Sequence, residues 1–141
     1  MIRAVLGALV LLSGTALAAE SWQRPWTVRQ VICPTCTQDD MKSLRSILGT
    51  VIVLGPDRFD NPLYESCPKG VDYSKMRPVS VEEAQRVIRP AQLAPRLDGP
   101  VVAGEIACLE PNGSPNTIGR FVFSGASGYY LFEGGALLEL R

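Results

Sequence analysis

The chain contains no histidine among its 141 residues. That absence excludes Ser-His-Asp and Cys-His nucleophile arrangements. It also removes the imidazole that most zinc sites use and the commonest general base near neutral pH. No excess of either charge is present: 14 Lys and Arg stand against 14 Asp and Glu, mixed along the chain. Nucleic-acid binders displace counterions with a basic face, and no cluster of Lys and Arg supplies one, so no nucleic-acid partner is expected. The longest apolar run falls far short of the roughly 20 residues that span a bilayer as a helix. No internal repeat, low-complexity tract or interdomain linker is visible in the sequence.

A leader is what the sequence shows first. Arg3 precedes a short apolar run over residues 4–12, and Ala16-Leu17-Ala18 supplies the small residues of a cleavage site. Residues 1–18 therefore read as a secretory signal peptide, and the mature domain is expected over residues 19–141. Without Arg3 the mature chain has 13 basic and 14 acidic residues, a net charge of −1. No cysteine follows the cleavage site, so no lipid anchor is expected there. The reading implies a periplasmic or secreted protein with no membrane span after cleavage.

Four cysteines suit that compartment, because an even count in a small exported domain implies disulfides. They allow three pairings. Cys33 and Cys36 are separated by two residues, whereas Cys67 and Cys108 are distant. The favoured pairing is Cys33 with Cys36 and Cys67 with Cys108.

Periodicity predicts a mainly β fold. Residues 26–32 (WTVRQVI) alternate and are rich in strand formers. Thr37 resembles an N-cap, with Asp39 and Asp40 where the helix dipole favours anions. Met41, Leu44, Ile47 and Leu48 fall on one helical face that Gly49 ends. Residues 50–54 read as a buried strand, and short irregular strands are expected around Phe59 and Tyr73. Ser80 to Glu83 has the form of a capping box, opening a short helix to about Ile88. Strands follow over residues 101–109, 118–123, 129–133 and 136–140, with loops at 111–116, 124–128 and 134–135. About six strands are clear. A small antiparallel barrel or curved meander, with one N-terminal α-helix and one short helix, leaves the fewest exposed edges.

This layout resembles the small exported calycin-like (lipocalin-like) β-barrel proteins of bacteria. The resemblance runs from Trp26 through Cys36 and the helix to Leu48-Gly49-Thr50-Val51-Ile52-Val53-Leu54. It continues through Phe59-Asp60-Asn61-Pro62-Leu63, Cys67, Tyr73 and Ile106-Ala107-Cys108 to the hairpin of residues 129–141. It implies a barrel of eight or more strands, and binding of a small apolar molecule or inhibition of an envelope protein. The stretch Ser124 to Tyr130, with Gly134-Gly135-Ala136, also resembles the paired loops of periplasmic c-type lysozyme inhibitors. The later cysteine and second-loop lysine of that family are missing here, and Glu133 stands nearby instead.

Candidate chemistry is sparse. Strand, Cys33-Pro34-Thr35-Cys36, then helix is the local order of thioredoxin-like enzymes, with Cys33 as the attacking thiolate and Cys36 as the resolving thiol. Asp39 and Asp40 oppose a thiolate there, and the β-rich tail lacks the βαβ order, so a structural disulfide is the favoured reading. Four thiolates holding zinc is the weaker option in an oxidising compartment. The S-x-x-K spacing of Ser66 and Lys69 lacks the accompanying motifs of penicillin-binding enzymes. Many carboxylates are present, but no spacing selects a glycosidase pair. Aromatics gather late, at Phe121, Phe123, Tyr129, Tyr130 and Phe132. Tyr129 and Tyr130 should face opposite sides of a strand, one in the core and the other either a half-buried cross-strand residue, which is favoured, or an exposed binding anchor. Tyr129, Tyr130 and Phe132 are thus the candidate binding residues. The expectation is a non-catalytic binding protein without cofactor or metal, taking a small apolar molecule or an envelope protein. The alternative is a thiol–disulfide protein acting through Cys33 and Cys36.

Overall fold

A computed structural model describes residues 20–62, 66–88, 97–131 and 135–141. The expected leader, residues 1–18, lies outside the described residues. The strands are β1 (Pro25–Ile32), β2 (Val51–Leu54), β3 (Phe59–Asp60), β4 (Val71–Asp72), β5 (Arg77–Val79), β6 (Val101–Leu109), β7 (Pro115–Ser124), β8 (Ser127–Leu131) and β9 (Leu137–Leu140). The helices are α1 (Gln38–Arg45) and α2 (Val81–Ile88).

All pairings are antiparallel, in the order β3-β2-β1-β9-β8-β7-β6-β4, with β5 also on β6. The sheet curls into a nearly closed barrel. Its seam lies between β3 and β4, and three devices close it. The Cys67 N–H donates to Phe59 O at 3.3 Å. The Cys67–Cys108 disulfide ties that segment to β6. The Tyr73 hydroxyl donates toward Gly55 O at 2.7 Å and also lies 3.1 Å from Arg58 O. The favoured cysteine pairing is the one found, and none of the four cysteines is free.

Strand alternation sorts two cores. Inside the barrel lie Trp22, Trp26, Val28, Ile52, Leu54, Phe59, Ile106, Phe121, Phe123, Tyr130, Leu138 and Leu140. Outside, Ala84 and Ile88 of α2 pack with Val101, Ala103, Val122, Tyr129, Leu131 and Leu137. Successive residues of one strand therefore serve different layers, as the pleat requires. A register shift between Val28 and Gln30 changes the parity of β1, so Val31 joins the inner core and Ile32 the outer.

The structure departs from expectation in its small elements. Among the described residues nine strands stand against about six clear ones; β3 at Phe59 and β4 just before Tyr73 are the short irregular strands expected there, and β5, three residues long, carries too little periodic signal to be read. β7 starts at Pro115, inside the stretch read as a loop, since its early residues pair with β6 while exposing their side chains. α1 ends at Arg45, so Ile47 and Leu48 lie beyond it; Ile47 enters the core and Leu48 stays 43% exposed. The Thr37 cap is present, as a reciprocal box with Asp40. Ser80 Oγ accepts from the Glu83 N–H at 3.1 Å, while the Glu83 carboxylate turns to Arg77.

Candidate functional site

The barrel interior is filled with rings. Phe121 stacks on Tyr130 with centroids 4.2 Å apart, and Phe59 meets Phe121 edge-on at 6.1 Å. Phe123 continues the column at 5.9 Å from Phe121 and reaches Trp26 at 5.1 Å and Trp22 at 5.7 Å. At one end Asn61 Nδ2 donates to the Tyr130 hydroxyl, which donates to Ile118 O. Gly119 makes room for that ring: a Cβ there would lie 2.3 Å from Tyr130 Cε2.

The other end, where β6 begins and β7 ends, is capped by Trp22. Its backbone carbonyl accepts the Trp26 indole N–H at 2.9 Å, which fixes the segment before β1 over the mouth. Tyr73 meets Trp22 edge-on at 5.0 Å. The turn from Tyr73 to Met76 lies flat on β6 because residue 104 is glycine; a Cβ there would stand 2.1 Å from Lys75 O. A cleft of about 220 Å³ results. Trp22, Tyr73, Met76, Pro78 and Val102 form apolar walls, and Glu20, Gln23 and Arg77 complete the lining. Arg77 is engaged by Glu83. Burial, with a smaller push from Asp57, raises the Tyr73 hydroxyl well above its ordinary pKa, so it remains a neutral donor.

The residues singled out from sequence fall elsewhere. Tyr129 and Tyr130 do face opposite sides of β8, but both are buried, at 4% and 0% exposure. Neither is an exposed anchor, and the outer one is more than half-buried, because α2 forms a second layer over the outer face and Tyr129 lies within that layer. Burial, then Glu139, raises the Tyr129 pKa, partly offset by Arg141. Phe132 lies outside the described residues. The loop at Ser124 is a tight turn, and the Ser124 hydroxyl donates inward to Asp98 O at 2.5 Å.

Cys33 and Cys36 are disulfide-bonded just ahead of α1. Cys33 is the more buried residue of the pair, at 9% exposure, and lies four residues before the Thr37 cap. The helix dipole acts within the first turn, so it favours Cys36 over Cys33. Among the described residues no group of three or more Cys, Asp or Glu is placed to hold a metal ion. Nor is any helix among them long and apolar enough to cross a membrane.

The mouth cleft was not legible as a site. Trp22 falls in the short, mostly polar segment ahead of the first strand, and its partners Tyr73 and Val102 are far away in sequence. A bulky Trp amid polar residues before a strand was the one available signal. No protein-family model, curated protein or solved structure matches the chain.

Proposed function

We propose that this is an exported, non-catalytic binding protein that takes a small apolar molecule at the mouth of its barrel. The carrying observation is the 220 Å³ cleft walled by Trp22, Tyr73, Met76, Pro78 and Val102. Concave, mainly apolar lining with few polar groups is the usual chemistry of small-molecule sites. The packed aromatic column directs a ligand to this mouth rather than to the interior. Two disulfides suit an oxidising compartment and support export to the periplasm or beyond. The nearly closed antiparallel barrel supports the calycin-like resemblance.

The cleft is smaller than the roughly 300 Å³ of drug-sized sites, so the ligand is fragment-sized. Burying about 200 Å² of ligand at ~25 cal/mol/Å² contributes about 5 kcal/mol, and the loss of ligand freedom on association opposes it, so a Kd no tighter than about 0.1 mM is expected. The test titrates the mature protein with indole and with cyclohexanol, following the indole N–H resonances of Trp22 and Trp26. Saturable shifts at Trp22, abolished by Met76→Glu in a folded variant, are expected. Absence of any response at Trp22 up to probe solubility overturns the reading and turns attention to an envelope protein as partner.

A further inference from the structure

The two disulfides sit in different mechanical settings. Cys67 is part of the inner core, Cys108 packs against it, and the β4–β6 ladder crosses Cys108 itself. Cys36 is only partly buried and lies between exposed Thr35 and Thr37. An open groove of about 480 Å³, lined by Cys36, Asp39, Met41, Lys42 and Arg45 among others, runs alongside it. A reagent can therefore approach Cys36 without disturbing the barrel.

What the first bridge holds is also different. No residue of α1 is buried. An eight-residue helix is too short to persist in water on its own propensity. Its far end is anchored by Ile47 in the core and by the Gly49 N–H donating to Val28 O at 2.8 Å. Its near end follows a turn that the Cys36 N–H to Cys33 O bond, at 3.3 Å, and the disulfide both close.

We infer that the Cys33–Cys36 bridge is an exchangeable clip on α1, entered by a dithiol reductant at Cys36. The reductant's thiolate attacks Cys36 Sγ. The S–S bond breaks, its electron pair leaves on Cys33 Sγ, and the reductant is joined to Cys36. Thr35 Oγ1, 4.0 Å from Cys33 Sγ, is placed to hydrogen-bond the departing thiolate, which then takes a proton from water. The reductant's second thiolate attacks its own sulfur in the mixed disulfide. Cys36 leaves and is protonated, and the reductant departs as a disulfide, two electrons having passed to the protein. This order is the reverse of the thioredoxin-like one, in which the first cysteine is the accessible sulfur. The consequence is local: α1 loosens while the seam bridge and barrel stay closed.

The experiment treats the oxidised mature protein with graded dithiothreitol, quenches with an alkylating reagent and maps the labels by mass. Labelling of Cys33 and Cys36 about tenfold or more ahead of Cys67 and Cys108 is expected. Amide exchange over residues 37–46 should rise in the same samples while β6, β7 and β8 keep their protection. With cysteamine, a monothiol, the trapped mixed disulfide should map to Cys36. Thr35→Val should slow opening of this bridge several-fold and leave the other unchanged. Equal reduction of both bridges, trapping on Cys33, or unchanged exchange across α1 each overturns the inference.

Discussion

Removing the seam bridge tests the closure of the barrel most directly. The perturbation is the paired substitution of Cys67→Ala and Cys108→Ala, which leaves no unpaired thiol. The bridge spans 41 residues of sequence. In the chain-entropy picture a loop of that length restricts the unfolded chain by about 4 kcal/mol at 25 °C. Loss of the two sulfurs from the inner core adds to this. The remaining seam contacts are the Tyr73 hydroxyl bonds, the Cys67 N–H to Phe59 O bond and the short β4–β6 ladder. They are non-covalent and break on unfolding, so they place no restriction on the unfolded chain. The paired change of Cys33→Ala and Cys36→Ala removes a separation of only 3 residues, worth about 1.5–2 kcal/mol by the same formula. Urea unfolding followed by tryptophan fluorescence reads both, since Trp22 and Trp26 sit in the inner core. Expected is a loss of about 4 kcal/mol for the seam pair, a fall in Tm of roughly 12–20 °C, and a clearly smaller loss for the other pair. A seam variant that loses under about 1 kcal/mol, or less than the Cys33/Cys36 variant, would refute the assignment of closure to this bridge.

Gly119→Ala forces a Cβ to within 2.3 Å of the Tyr130 ring and should destabilise by about 1–3 kcal/mol, read as a lowered urea midpoint with m unchanged. Gly104→Ala meets the backbone carbonyl of Lys75 at 2.1 Å, so the turn over β6 must lift; amide protection at Met76 and the response of Trp22 to indole should both fall. Tyr73 and Tyr129 have raised pKa values, so their contribution is fully present below the unfolded tyrosine value of about 10 and is lost as pH rises through the folded values. Spectrophotometric titration should find both still protonated in the folded protein above pH ~10, with stability falling from that point. Asp40 is lowered by its bonds to Thr37, so its support for α1 is complete above the ordinary carboxylate range and is lost as pH falls through the depressed value. The Thr37 amide resonance should report this titration below the usual aspartate midpoint; a normal midpoint would show that the cap does not form in solution.

Cysteine spacing favoured the disulfide pairing, and the fold that brings Cys67 to Cys108 decided it. Period-two patterning and turn residues set the long strands and their antiparallel order, because each acts within a few residues. The Thr37 cap was legible for the same reason: its partner Asp40 is one helical turn away. Of the short strands, β3 and β4 were legible only as irregular strands around Phe59 and Tyr73 and β5 not at all, since two or three residues hold no periodic signal and pair only when β2 and β6 offer them an edge. Alternation placed Tyr129 and Tyr130 on opposite faces but said nothing about what covers each face. Tertiary packing decided that: α2 lies across β6, β7 and β8 and makes Tyr129 part of a second core. The cleft is likewise a product of closure alone. Trp22, Tyr73 and Val102 meet only because the sheet curls and the Tyr73 to Met76 turn settles on Gly104. Local sequence sets which residues point inward; only the closed barrel sets which inward residues are left at its mouth.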